Sequence, residues 1–431
     1  MNYFRLFSDV FLENGSVNSA LYDLTGARLL PISPLESHIL RQCERNIPVD
    51  QLQGAKSVQV VAFLEKLARN QLGQYYKIPV RIERYLPSLN IRINGLVEPP
   101  FFINAAYIQL TSECNLSCTD CGQDGLPIWQ GCNTCERWPG IDRNVNWTQN
   151  QLDLVLDELL HFNIANVFFV GGNPLRQPDL LLHAVGRLRQ KTPPVNAIII
   201  TNGAGATPPF LDEIATTGAK FYFVMLGNSP EEYGRVSGME QGFADFVNGV
   251  TGCQQRGIPF AVSIVVRPET SSRLAERKKW AQQLGASHVF FAERITRSGD
   301  GAVLPLKVLA ATGPARVKGV NAQQFYARRE FNACLNHNIA LAADRSVRPC
   351  PMIQGKDWGH LETASLRDIF MSRQHEAYWQ LTKDAISDCR HCEFRYACID
   401  CVAVDLQVDN HPTLRRSVCD YDPLAGEWRT A

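Results

Sequence analysis

Residues 105–122 read AAYIQLTSECNLSCTDCG: an apolar run of strand length, then a loop carrying Cys114, Cys118 and Cys121 at C-x3-C-x2-C spacing. Three thiols on one short loop point to metal ligation, because thiolate is the ligand that iron–sulfur clusters require. Such a set can hold three irons of a four-iron cluster and leaves the fourth without a protein ligand. Structural zinc is the alternative reading, but zinc sites want four ligands, usually from paired C-x2-C units.

Working outward from that loop, six apolar strand runs alternate with amphipathic helical stretches. They are AAYIQL (105–110), NVFFVGG (166–172), NAIIITNG (196–203), KFYFVML (220–226), PFAVSIVV (259–266) and HVFFAERI (288–295). Between the first two, Leu152, Val155, Leu156, Leu159 and Leu160 repeat at helical spacing after Thr148. Strand and helix in alternation predict parallel βα units, and six of them predict an open, partial (β/α)6 barrel of the TIM type. In such barrels chemistry collects at the C-terminal strand ends. The cysteine loop follows the first strand and Gly171-Gly172-Asn173-Pro174 follows the second, so both fall there.

Together these motifs resemble the radical SAM superfamily. VFFVGGNPL (167–175) is similar to the family's second-strand GGEPL segment, whose backbone helps bind the methionine amino group of S-adenosylmethionine (SAM). The resemblance implies a [4Fe-4S] cluster held by Cys114, Cys118 and Cys121, with SAM on its open iron. It also implies cofactor contacts from Gly171, Gly172 and Asn173. Glycines suit that place because a side chain would block close approach of a ligand to the backbone. Two departures stand out: Asn173 replaces the usual Glu, and Asp120 precedes the third cysteine where an aromatic residue or His is common. EEYGRVSGMEQGFADFVNGV (231–250) resembles a segment after the fourth strand and makes Arg235 a further candidate contact to the cofactor.

Beyond about residue 330 the βα rhythm stops and cysteines dominate. Cys334, Cys350, Cys389, Cys392, Cys398, Cys401 and Cys419, with SLRDIFMS (365–372) between, are similar to the SPASM extension that carries two auxiliary iron–sulfur clusters. The resemblance implies that Cys389, Cys392, Cys398 and Cys419 fill one cluster. Cys334, Cys350 and Cys401 would hold the other, with an open or non-cysteine fourth site. The final pair is spaced x2 where x3 is usual, and Arg345 stands where a Gly is common. Cys132 and Cys135, in GCNTCERWPG (131–140), fit three roles: hydrogen-atom donation, a further metal, or disulfide interchange. Cys43 and Cys253 lie among apolar residues and read as core fillers. The nine histidines show no metal spacing.

Residues 1–95 read as a separate winged-helix-like unit. Strand-like YFRLFS and SALYDL precede a helix with Ser33 as cap, Pro34 at its first position and Glu36 completing a capping box. A second helix follows Ser57 with Val58, Val61, Phe63, Leu64 and Leu67 as its apolar positions, and Gly73 closes it before YYKIPV. This unit looks like the leader-peptide-recognition units of ribosomal-peptide maturases. Residues 96–310 would then be the barrel and 311–431 the auxiliary-cluster unit.

The remaining composition narrows the partners. The 431 residues carry 43 basic and 43 acidic side chains, so no global positive field draws nucleic acid or an anionic membrane. No run approaches the roughly 20 apolar residues of a membrane span, and Asp9 and Glu13 interrupt where a signal peptide needs an apolar stretch. The expected compartment is the cytoplasm. The expected function is radical SAM maturation of a ribosomally made precursor peptide by crosslinking, epimerisation or backbone splicing. Its expected partners are the peptide, a one-electron reductant such as flavodoxin or ferredoxin, and a separate leader-recognition protein. An anaerobic sulfatase-type formylglycine maturase is the second enzyme reading, and a zinc-binding interaction protein the reading of another class. Protein purified without oxygen is expected to contain iron and acid-labile sulfide; zinc with negligible sulfide refutes the cluster reading.

Overall fold

The structure is a computed structural model that describes residues 2–54, 56–84, 102–119, 121, 128–129, 131–142, 144–297, 303–305, 317–399, 401–409 and 419–428. The expected unit boundaries at 95 and 310 lie outside these residues, as does Asp120. The N-terminal region holds β1 (Tyr3–Leu6), β2 (Val10–Asn14), β3 (Ser19–Asp23), β4 (Arg28–Ile32), α1 (Pro34–Glu44), α2 (Ser57–Arg69) and β5 (Gly73–Tyr76). Strands β2, β3 and β4 form an antiparallel meander, while β1 pairs antiparallel with β5.

Helix α1 starts as its sequence dictates: the Ser33 side chain accepts from the Glu36 backbone N–H, and the Glu36 carboxylate accepts from the Ser33 N–H. Two details differ from the sequence reading. Val58 is 78% exposed and Val61 40%, because α2 buries the stripe Val60, Phe63, Leu64 and Leu67. Gly73 does not close the helix; it opens β5 opposite Leu6, where a Cβ would stand 2.4 Å from the Arg5 carbonyl oxygen.

The barrel strands are β6 (Ala105–Ile108), β8 (Asn166–Phe169), β9 (Asn196–Thr201), β10 (Lys220–Met225), β11 (Phe260–Val266) and β12 (Val289–Arg297). Each is parallel to the next, in that order. Short β7 (Ile128–Trp129) and β13 (Val303–Pro305) both pair with the edge strand β12. Helices α3 (Gln149–His161), α4 (Pro178–Arg189), α5 (Pro208–Ala215), α6 (Pro230–Ser237), α7 (Gln241–Gln255) and α8 (Leu274–Gln283) connect the strands. The Thr148–Gln151 capping box starts α3, which buries Leu152, Val155, Leu156 and Leu159. Alternate strand residues Ala106, Ile108, Val167 and Phe169 join that core. Tyr107 stacks on Phe168, with ring centroids 4.8 Å apart.

The C-terminal region continues the same sheet. It comprises α9 (Ala322–Glu330), β14 (Asn338–Leu341), β15 (Ser346–Arg348), β16 (Gly359–His360), α10 (Leu366–Met371), α11 (Glu376–Trp379), α12 (Val402–Asp409), β17 (Tyr421–Asp422) and β18 (Glu427–Trp428). Strand β14 adds in parallel to the free edge of β6, and β15 and β16 follow antiparallel. The turn between β14 and β15 passes through Arg345 at φ +70°, which explains why glycine suits this position. Arg345 tolerates it while its guanidinium binds the Ala343 carbonyl at 2.7 Å and the Glu362 carboxylate at 2.9 Å.

The N-terminal meander is fixed to the cysteine-rich region. Its outer face puts Phe11, Tyr22 and Leu24 against Phe325, Phe394, Tyr396 and Tyr421. The Tyr22 hydroxyl donates to the Glu393 carbonyl at 2.8 Å. Glu13 receives two guanidinium groups, from Arg329 and Arg395, each at 2.8 Å. At Gly15 an added Cβ would lie 2.5 Å from the Glu393 carboxylate. Glu13 is about as well buried as Arg395, with side chains 13% and 12% exposed. Removing its charge weakens the hold on both cations, leaving Arg395 with Asp384 at 2.9 Å and Arg329, 40% exposed, to solvent. Glu13→Gln is expected to lower stability by about 2 kcal/mol, read from urea unfolding.

Candidate metal centre and cofactor site

The thiols converge in sets along the chain. At the first barrel mouth, Cys114 accepts from the Leu116 N–H at 3.4 Å, and Cys121 accepts from the Arg137 N–H at 3.4 Å. Burial pushes the Cys118 thiol up to about 12, and its neighbours Cys121 and Cys114 push the same way. All three could be thiolates together only around a cation, such as the iron of a cluster. All three are free of disulfides. Among the described residues, no three His, Cys, Asp or Glu side chains converge on a single-ion site.

The second strand end clasps this loop directly. The Asn173 N–H donates to the Glu113 carbonyl at 2.8 Å. Gly171 and Gly172 adopt φ +91° and +67°. A Cβ on Gly172 would lie 2.4 Å from the Glu113 carbonyl and 2.8 Å from that of Thr111. One on Gly171 would strike the Trp138 indole at 2.6 Å. The glycines thus let two strand-end loops touch backbone to backbone beside the thiols.

Asn173 is fully buried, and both ends of its amide are engaged within the protein. Its nitrogen donates to the Asn115 side chain at 3.0 Å and the Ala204 carbonyl at 2.8 Å, while its oxygen accepts from the Thr201 hydroxyl at 2.8 Å. It ties the first three strand ends together. Arg235 is exposed on α6 beside Glu231. The end of that helix also reaches the cysteine loop, because Ser117 and Thr119 N–H groups donate to the Ser237 and Val236 carbonyls at 3.1 and 3.0 Å.

Several residues escaped the sequence reading. Asn202 donates to the Cys114 sulfur at 3.5 Å and to Asn115 at 3.0 Å. A polar side chain closing the third strand ahead of Gly203 and Gly205 was the available signal. Gln109 and Ser263 are completely buried, yet the Gln109 amide nitrogen and the Ser263 hydroxyl lack a partner. Unpaired polar atoms of that kind are costly unless a ligand completes them. These observations fit a cluster with a polar cofactor at this mouth.

In the C-terminal region, Cys392 accepts from the Phe394 N–H at 3.4 Å and has Cys398 and Cys419 as electrostatic neighbours. Cys389 lies three residues before Cys392, whose N–H donates to the Cys389 carbonyl at 2.9 Å. Cys334, Cys350, Cys389 and Cys401 pack against Leu335, Met352, Ile353 and Val402, whereas Cys392 and Cys419 pack in the cluster of Phe394 and Tyr421. Cys43 and Cys253 are buried in apolar clusters, as core fillers should be.

Comparison with known proteins agrees with this geometry. Residues 108–281 match the radical SAM superfamily. The stretch is a radical SAM domain. PqqA peptide cyclase of Gluconobacter oxydans (strain 621H) is 27% identical over 200 residues, 46% of this chain and 50% of that protein. The enzyme of the same name from Streptomyces rochei is 24% identical over 43% of this chain and 46% of its own. The chain spans about half the length of the curated relatives it matches. Among solved structures, Streptococcus suis SuiB bound to S-adenosylmethionine has a TM-score of 0.53 at 12% identity, covering 96% of this chain and 98% of that one. The anSMEcpe structure with bound AdoMet gives 0.53 at 13% identity, covering 76% and 91%. The radical SAM family implies a [4Fe-4S] cluster with SAM. No helix among the described residues is long and apolar enough to cross a membrane.

Gly172→Ala tests the clasp. The variant is expected to keep the barrel's far-UV circular dichroism but to bind SAM at least about tenfold more weakly by calorimetry, since the loops must part by several tenths of an ångström. Undiminished affinity would mean that the turn does not shape the cofactor site.

Proposed function

We propose that this protein is a radical SAM maturase that modifies a ribosomally made precursor peptide. The observation that carries the proposal is the backbone clasp between the cysteine loop and the Gly171-Gly172 turn. It joins the loop that carries three thiols to a turn with two positive-φ glycines at the strand ends of an open parallel barrel. Cys114, Cys118 and Cys121 would hold the [4Fe-4S] cluster, with Gly171 and Gly172 offering backbone to SAM. When bound, cluster and cofactor supply a 5′-deoxyadenosyl radical that takes hydrogen from a substrate carbon. Asn173 fixes the relative position of the three strand ends. Asn202 hydrogen-bonds to one ligand sulfur, and Arg235 remains a candidate cofactor contact. Such a reactive species demands that water be kept from the site.

A peptide substrate is favoured by two likenesses. SuiB, also solved bound to the precursor peptide SuiA, aligns over 95% of this chain, so the likeness takes in the N-terminal region as well as the barrel. Coverage falls to 76% with anSMEcpe, which makes the sulfatase-type reading second. The N-terminal strands would then receive the peptide's leader by strand addition. Cys389, Cys392, Cys398 and Cys419 would hold one auxiliary cluster, and Cys334, Cys350 and Cys401 would belong to another. A flavodoxin or ferredoxin in the cytoplasm would supply the electron, with or without a separate leader-recognition protein.

Reconstituted enzyme with dithionite is expected to cleave SAM to 5′-deoxyadenosine and to change the mass of the peptide encoded beside its gene. Crosslinking removes two hydrogens, epimerisation in deuterated water adds deuterium, and splicing removes a larger fragment. Alanine at Cys114, Cys118 and Cys121 together should abolish cleavage. Cleavage surviving that substitution refutes the assignment.

A further inference from the structure

We propose that Cys132 is the fourth thiolate ligand of the auxiliary cluster site formed by Cys334, Cys350 and Cys401. The inference rests on the cluster reading above and deepens it by completing a ligand set that sequence spacing leaves one short.

The path of the chain makes the placement possible. After the cysteine loop, β7 lies antiparallel on β12, pairing Ile128 with Arg294 and Trp129 with Glu293. The chain, which leaves β6 at one edge of the barrel strands, is thus found on β12 at the other, and turns at Gly131–Asn133. Cys132, in that turn, lies beside the hydroxyl of Tyr107 on β6.

The auxiliary thiols reach the same tyrosine. Strand β14 pairs Ala340 with Tyr107 and, across the hairpin, with Arg348. Continuing that register sets Cys350 level with Asn338, whose side chain donates to the Cys334 carbonyl at 2.6 Å. Cys132, Cys334 and Cys350 are electrostatic neighbours of Tyr107, and Cys401 and Cys132 are electrostatic neighbours of Cys350. One tyrosine hydroxyl and four half-buried thiols thus share one locality.

The companion cysteine faces elsewhere, which excludes a simple pairing. Cys135 has Cys114, Cys118 and Cys121 around it, and no disulfide joins it to Cys132. The C-x2-C unit is divided between two sites. Four thiolates complete a four-iron cluster, and a hydroxyl beside one of the sulfurs is the kind of outer contact that tunes such a centre.

The test isolates the auxiliary centres by using full-length protein in which Cys114, Cys118 and Cys121 are alanine, expressed and purified without oxygen. Into that background go Cys132→Ala, Cys132→Ser, Cys135→Ala and Tyr107→Phe, each compared by circular dichroism, iron and sulfide content, and EPR of the reduced protein. Cys132→Ala is expected to lose about half the background's iron, or to keep the iron with a changed EPR signal that shifts again on adding a small thiol. Cys135→Ala and Tyr107→Phe should keep the iron. Iron and EPR unchanged in both Cys132 variants overturn the proposal alone. An equal loss of iron in Tyr107→Phe overturns it too, since packing rather than ligation would explain the effect. A background protein with no iron at all overturns the auxiliary-cluster reading itself.

Discussion

Everything at the barrel mouth depends on one close approach: the backbone of Gly172 against the carbonyl of Glu113. A methyl group there would sit 2.4 Å from that oxygen, well inside contact distance. The approach is possible only at glycine and only at positive φ, and it carries the Asn173 N–H onto the same carbonyl. With the two loops locked together, the three thiols become a fixed feature of the barrel instead of a loop property. The buried Asn173 amide extends the lock to the third strand, so the site behaves as one unit across three strand ends.

A second constraint acts at the other end of the chain. The C-terminal region is not appended to the barrel; through β14 it is the next strand of the same sheet. The N-terminal meander in turn presses on residues around Cys392 and Cys419, with Glu13 between two arginines and Tyr22 on the Glu393 carbonyl. Any leader peptide received by the N-terminal strands would bind a few side chains from the auxiliary thiols. The N-terminal meander and the cysteine-rich region share one packed cluster.

The barrel strands were legible because parallel strands covered on both faces read as unbroken apolar runs, as FAVSIVV does in β11, where every residue is buried. Capping boxes at Ser33 and Thr148 were legible because they are closed within four residues. The strands β2 and β4 were not, since VFLEN and RLLPI mix half-exposed and buried positions with no clean alternation. Val58 and Val61 were misplaced because a valine-rich stretch offers two overlapping helical stripes, and only packing against the meander selects Val60, Phe63, Leu64 and Leu67. Arg345 looked like a departure from a glycine pattern; its turn is left-handed all the same, held by Glu362.

Spacing in the sequence determined which runs become strands and helices and how the thiols are grouped along the chain, because those are patterns within a few positions. It determined that thiols would gather at strand ends and that glycines would follow the second strand. Which thiols meet was decided only by the tertiary structure. Cys132 and Cys135 are three residues apart, yet Cys132 lies beside Tyr107 and Cys135 beside Cys114, Cys118 and Cys121. Short-range spacing carries no record of that, because the partners are brought in by hydrogen bonding between strands far apart along the chain.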